Sequence, residues 1–210
     1  MRLLYIFIQL ILLAAQPQAF AAQNYPILFG SHEIRSPNLK NFSRWTGVVE
    51  RFNRERPMLD QPCDRKSTKC PMQEWKAFLL ETARLVPIDQ IEAVNRYMNR
   101  FPYVDDLANW GVDDYWATPL EFMSRGGDCE DYAIAKFFSL RLLGFPDEDM
   151  RIVVLQDLNL RIAHVVLVVY VDGRALVLDS QIKNITSADK IFHYKPLYSI
   201  NEAGWWLHVR

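Results

Sequence analysis

The octapeptide Gly126-Gly127-Asp128-Cys129-Glu130-Asp131-Tyr132-Ala133 constrains this chain more than any other stretch. Two glycines end one segment. A cysteine ringed by carboxylates then opens an apolar run of Ala133, Ile134, Phe137, Phe138, Leu140, Leu142 and Leu143. The run repeats at helical spacing and stops at Gly144, a residue suited to closing a helix. The pattern predicts a buried helix with Cys129 in its first turn. Unpaired N–H groups and the helix dipole favour an anion there, so a thiol so placed can serve as a nucleophile. The local residues leave a structural cysteine equally open, because free cysteines are among the most buried residues.

Whether such a helix has a core to enter depends on composition. The chain has 210 residues, half of them hydrophobic, which suits one globular domain and argues against disorder. A formal net charge of −1 gives no reason to expect nucleic acid as a partner. At the N-terminus, Arg2 precedes an apolar run from Leu3 to Ala15, followed by Pro17 and Ala19-Phe20-Ala21. This reads as a secretory signal peptide over residues 1–22, removed to leave a single domain of residues 23–210. The run is shorter than the ~20 residues of a spanning helix, so a stable membrane anchor is not expected. Export implies a space in which disulfides form. Cys63 and Cys70 bracket a polar, basic loop and are expected to be bonded to each other, leaving Cys129 as a lone thiol. A half metal site at Cys63 and Cys70 has no nearby His or Cys at zinc spacing.

Along the mature chain, Asn24 to Arg35 shows no clear period. Ser36-Pro37 is the expected start of a first helix, with Leu39, Phe42, Trp45, Val48, Val49 and Phe52 as its stripe. Trp75 to Leu85 and Ile88 to Phe101 read as two further helices, and Pro57 to Pro71 as a loop. Tyr103 to Trp116 reads as irregular, rich in acids and aromatics. Thr118-Pro119-Leu120-Glu121 reads as a capping box opening a short helix. After Pro146 the period changes to two. Strands are expected at Arg151–Leu155, Ile162–Val171, Arg174–Asp179, His193–Ile200 and Trp205–Val209. Helices followed by antiparallel strands mean an α+β fold, with a helical lobe over about 36–143 and a sheet lobe over about 150–210.

Asp172-Gly173 is a two-residue hairpin signal and carries a geometric consequence. If Val171 pairs with Arg174, Asp179 becomes the diagonal neighbour of His164 on one face of the sheet, with Cβ atoms roughly 7 Å apart. An imidazole and a carboxylate can meet across that gap. A cysteine at a helix start, a histidine and an acid that orients it form the general pattern of nucleophilic catalysis. Taken singly, His164 also fits a satisfied core histidine and Asp179 a strand-end acid.

Gly-Gly-Asp-Cys-Glu-Asp-Tyr-Ala, His164 within Ala-His-Val-Val-Leu and Asp179 within Val-Leu-Asp-Ser together resemble the bacterial transglutaminase-like cysteine proteinases, and more narrowly the LapG-type periplasmic proteases. The resemblance runs from about Trp45 to the C-terminus. It implies a papain/transglutaminase-like fold, with a central helix packed on an antiparallel sheet, and a triad of Cys129, His164 and Asp179. It also implies a calcium-dependent endopeptidase that cuts a large repeat adhesin (LapA type) near its N-terminus and so releases cells from a biofilm. In that family the periplasmic domain of a cyclic-di-GMP receptor (LapD type) sequesters the protease.

Asp128, Glu130 and Asp131 crowd the thiol, and uncompensated they would oppose its ionisation. A bound Ca2+ would offset them. Equally, acids in a first helical turn simply favour the dipole. The resemblance favours calcium, with Asp128, Glu130 and Asp131 as ligands and Asp113 and Asp114 as further candidates. Trp116 is a candidate indole donor to an oxyanion, beside the Cys129 amide, and fits a core tryptophan as well. The triad does not by itself separate hydrolysis from transglutaminase-type acyl transfer. A non-catalytic binding module on the same fold is the remaining alternative.

Overall fold

Strand β3 (Ile162–Val171) is apolar on both faces because both faces are covered. Val165, Leu167 and Val169 pack into the core shared with the helices, whereas Val166 and Val168 join a second cluster with Leu28, Val177 and Tyr194 on the opposite side. Alternation along a strand sends neighbouring residues to opposite faces, so two buried faces produce a continuous apolar run. The computed structural model describes residues 25–63 and 70–209, so the expected signal peptide lies outside the described residues.

All sheet pairings are antiparallel. The other strands are β1 (His32–Ser36), β2 (Met150–Asp157), β4 (Arg174–Leu178), β5 (Thr186–Ser187), β6 (Tyr194–Asn201) and β7 (Gly204–Val209), in the order β1-β7-β6-β2-β3-β4-β5. Val171 pairs with Arg174 through Leu167 with Leu178, the register expected from Asp172-Gly173. Both turn residues have positive φ, 51° and 69°, as a two-residue hairpin of this hand requires.

The helices are α1 (Ser43–Glu55), α2 (Pro71–Thr82), α3 (Pro87–Met98), α4 (Asp106–Trp110), α5 (Pro119–Arg125) and α6 (Cys129–Leu142). Two expectations need correction. Ser36-Pro37 does not open a helix: residues 32–36 are an edge strand on β7, and α1 starts at Ser43. The Ser36 and Asn38 side chains instead accept from the amides of Asn38 and Lys40, forming local turns. The sheet lobe therefore also draws on the N-terminus. The stretch from Tyr103 to Trp116 is not wholly irregular, since it contains α4, whose five residues are too short to show a period. A disulfide joins Cys63 to Cys70.

Helix α6 runs through the middle of the core, with Ile134, Phe137, Phe138 and Leu140 fully buried against β2, β3 and the aromatic side chains of α1. Burial of four such side chains contributes on the order of 1.5–3 kcal/mol each, which fixes the position of the helix start.

Candidate active site

The approach to Cys129 is set by backbone constraints. Thr118 and Glu121 form the expected capping box on α5: the Thr118 hydroxyl accepts from the Glu121 amide, and the Glu121 carboxylate accepts from the Thr118 amide. Helix α5 ends at Gly126, whose φ of +82° and position against Pro102 leave no room for a side chain. Gly127 then exchanges hydrogen bonds with the 102–104 segment, its amide donating to Pro102 and its carbonyl accepting from Val104. The chain so anchored delivers Cys129 as the first residue of α6.

The thiol lies half-buried between two partners. Its sulfur is 3.2 Å from Glu130 Oε2 and takes a hydrogen bond from the main chain of Val165. Burial first, then the charges of Glu130 and Asp128, push its pKa far above the usual thiol range, and the Val165 contact pulls the other way. The β3–β4 ladder ends at Leu167 and Leu178, so Val165, paired with Val154 of β2 on one side, is open on the β4 side. The thiol meets β3 there, next to His164. His164 shares its face with Val166 and Val168, the face turned away from α6.

His164 and Asp179 meet as the hairpin register requires. His164 Nε2 lies 2.9 Å from Asp179 Oδ1, and both side chains are buried. Asp179 Oδ1 also accepts from the Gln181 amide, and Oδ2 accepts from the Tyr194 hydroxyl at 2.6 Å. Burial opposes ionisation of Asp179, but these hydrogen bonds and the His164 charge together hold its pKa below the ordinary value. With Nε2 engaged, Nδ1 is the nitrogen free to exchange a proton. It faces the Gln181 side-chain amide at 3.4 Å. In this arrangement the sulfur's side-chain partner among the described residues is Glu130 rather than the imidazole.

Carboxylates gather around the thiol. Asp106, Asp128 and Asp131 bring oxygens within 4.8 Å of one another, and Asp106, Asp114 and Glu130 form a second such group. Asp106 Oδ1, Asp128 Oδ1 and Asp131 Oδ2 are all buried without a hydrogen-bond partner among the described residues. Burial, with neighbouring carboxylates adding to it, pushes Asp128 up to about 9 and Asp131 up to about 8. Three orphaned buried oxygens that resist ionisation together fit a hard, oxygen-preferring cation such as Ca2+.

The sequence profile of the bacterial transglutaminase-like cysteine proteinases matches residues 57–210. The chain belongs to this family. Among solved structures it is similar to Legionella pneumophila LapG in a calcium-bound form, with 34% identity over 76% of this chain and 87% of that one and a TM-score of 0.62. An EGTA-treated form of the same protein matches with 31% identity over 82% of this chain and 87% of that one and a TM-score of 0.59. No curated protein matches the chain.

Within this transglutaminase-like framework the remaining candidates fall in different places. Asp114 joins the acidic group and also pairs with Arg44 at 3.2 Å. Asp113 joins neither group, in contrast to the expectation. The Trp116 ring is buried edge-on against Trp45, and its carbonyl accepts from Arg51. Residue chemistry had not singled out Asp106, Tyr194, Gln181, Asn99 or Lys136. Asp106 lay in the acid-rich stretch already noted. Lys136 interrupts an apolar run and is completely buried, donating to the main-chain oxygen of Asp179 at 3.0 Å.

Proposed function

We propose that this chain is a calcium-dependent, periplasmic cysteine endopeptidase with Cys129 as nucleophile, His164 as proton carrier and Asp179 as the group that orients it. The observation that carries the reading is the buried His164–Asp179 pair, on β3 and just past the end of β4, set beside the edge where the Cys129 sulfur meets Val165. In a protein of the cysteine proteinase family, three such side chains have a common use.

Asp179 accepts from Nε2 and so fixes the tautomer that leaves Nδ1 to take the thiol proton. The thiolate attacks the scissile carbonyl, and the Cys129 main-chain amide, unpaired at the helix start, faces the developing oxyanion; the Trp116 indole is the candidate second donor. Nδ1 then returns its proton to the leaving amine. Water, deprotonated at the same nitrogen, hydrolyses the thioester and regenerates the thiol. For the first step the sulfur has to exchange Glu130 for the imidazole. Asp106, Asp114, Asp128, Glu130 and Asp131 would hold Ca2+, whose charge offsets the carboxylates that oppose thiolate formation.

The family resemblance supports a substrate of the large repeat adhesin class, cut near its N-terminus with release of cells from a biofilm. It supports as well control by a cyclic-di-GMP-responsive inner-membrane receptor that sequesters the enzyme. The test is incubation of residues 23–210 with N-terminal fragments of such adhesins from the same genome, in Ca2+ or in EGTA, with products read by mass. Cleavage in Ca2+ that disappears in EGTA and in Cys129→Ala supports the reading. A product of increased mass would indicate acyl transfer to an amine, and full cleavage by Cys129→Ala would refute the nucleophile.

A further inference from the structure

A cavity of about 460 Å3 lies directly behind the His164–Asp179 pair, lined by Arg96, Asn99, Arg100, Ser180, Gln181 and Lys183. Gln181 is the shared wall: its amide donates to Asp179, and its side chain lies 3.4 Å from the imidazole nitrogen that has to exchange the proton. Asn99 forms another part of that wall and donates to the Asp179 main-chain oxygen at 2.9 Å. The cavity therefore adjoins the proposed catalytic groups.

Its charge is one-sided. Three cations line it and no acid does. Arg96 is shared with Glu92 through an exposed i,i+4 pair, and Arg100 lies over the Tyr97 ring. Cations near the end of α3 suit the helix dipole, but Lys183 comes from the segment after β4 and has no such reason to be there. The Ser180 hydroxyl is buried at this wall without a hydrogen-bond partner among the described residues. A ligand carboxylate would satisfy the cations. At the thiol itself the acidic groups of Asp106, Asp114, Asp128, Glu130 and Asp131 present the opposite sign. A peptide crossing Cys129 thus meets a field that changes sign along its length, and such a field fixes orientation and register.

We propose that this cavity is a substrate subsite that takes an acidic side chain of the cleaved polypeptide, a few residues from the scissile bond. An extended peptide advances about 3.3 Å per residue, so a residue close in sequence to the scissile bond is the one placed there. The proposal rests on the endopeptidase reading above and names the substrate chemistry that the reading leaves open.

The test uses Cys129 as the reporter, since Cys63 and Cys70 are bonded and leave it the free thiol. Its alkylation by iodoacetamide is followed by mass spectrometry in excess Ca2+ at constant ionic strength, with blocked pentaglutamate, pentaglutamine or pentalysine added at millimolar concentration. Pentaglutamate is expected to slow alkylation several-fold and pentaglutamine to leave it unchanged. In the double variant Arg100→Glu, Lys183→Glu the preference should reverse to pentalysine; Lys183→Glu alone, on an exposed segment, decides the matter if the double variant does not fold. Arg174→Glu, which changes net charge equally at the distant hairpin turn, should retain protection by pentaglutamate. Equal effects of pentaglutamate and pentaglutamine, or undiminished protection in the Lys183 variants, would overturn the subsite. Neither result depends on adhesin cleavage, so failure of the subsite and failure of the endopeptidase reading are separately visible.

Discussion

Lys136 and Asp179 tie helix α6, which carries the proposed nucleophile Cys129, to the acid proposed to orient His164. The Lys136 ammonium, wholly buried seven residues along α6 from Cys129, donates to the Asp179 main-chain oxygen, and Asn99 donates to the same atom from the end of α3. The Asp179 carboxylate is meanwhile held by His164, Tyr194 and the Gln181 amide. Both ends of one residue are thus fixed by five partners. Burial depresses the Lys136 pKa to about 7, with the Asp179 charge opposing the fall.

A buried ammonium without a directly bonded carboxylate is an expensive way to fill a core. Lys136→Met, which keeps the length and removes the donor, is therefore expected to retain the thermal stability of the parent within about 2 kcal/mol. Turnover of a cleaved adhesin fragment should nevertheless fall about tenfold or more, with KM little changed. The downfield proton resonance of His164 Nε2–H should shift with it. Loss of stability with a normal turnover per folded molecule would mean that Lys136 only fills space.

Asp131 offers the cleanest probe of the cation site. Its Oδ1 accepts from the Ala117 amide at 2.7 Å, while Oδ2 is buried without a partner among the described residues. Asp131→Asn keeps the first contact and takes one negative charge out of the donor set. Calcium affinity, measured by titration calorimetry, is expected to fall at least about tenfold. The ion-free variant should be as stable as the parent or more so, because it buries one ionisable carboxyl fewer. An unchanged calcium affinity would place the ion elsewhere.

Proton linkage gives the site a signed pH dependence. Folded-state pKa values of about 9 and about 8 for Asp128 and Asp131 lie above the ordinary carboxylate value, so the ion-free folded state retains protons that the unfolded chain releases. Their contribution to stability is present below the unfolded pKa and is lost as pH rises through about 4 to 9. Calcium binding requires the ionised forms, so it restores what is lost. The rise in Tm produced by calcium should therefore grow between pH 5 and pH 8, by up to about 1.4 kcal/mol per pH unit for each proton displaced. His208 and Lys136, whose folded pKa values of about 4 and about 7 lie below their ordinary ones, bias the absolute curve the other way. Their effect cancels in the difference between scans with and without calcium. A calcium-induced shift that is flat with pH would contradict the assignment.

The parts of the molecule legible in the sequence are those set by local rules. Asp172-Gly173 fixed the β3–β4 register because a two-residue turn permits one pairing, and Thr118 with Glu121 marked a helix start because their hydrogen bonds are local. Strand β1 was hidden because its pairing with β7 is made by backbone and its side chains show no alternating burial. Lys136 was hidden for the opposite reason: a lysine in an apolar helix reads as the exposed position, and only the fold brings Asp179 to it. Tyr194 and Asp106 act on the site from distant segments, and no spacing within the chain records such a meeting.

Gly127 shows how tightly the site is bound to the turn before it. A Cβ built on this residue would lie 2.1 Å from Asp131 Oδ2 and 2.7 Å from Asp131 Cβ. The first atom is one of the orphaned carboxylate oxygens, and the second belongs to a fully buried side chain on α6 that has no room to retreat. Gly127→Ala must therefore displace either the carboxylate or the turn that delivers Cys129. The expected cost is about 2 kcal/mol of stability, together with loss of the calcium-induced rise in Tm. Asp131→Gly in the same background removes the clashing side chain. It should recover part of the lost stability and none of the calcium response, because the space returns and the ligand does not. Recovery of both would show that Asp131 serves the packing of the turn and leaves the cation to its neighbours.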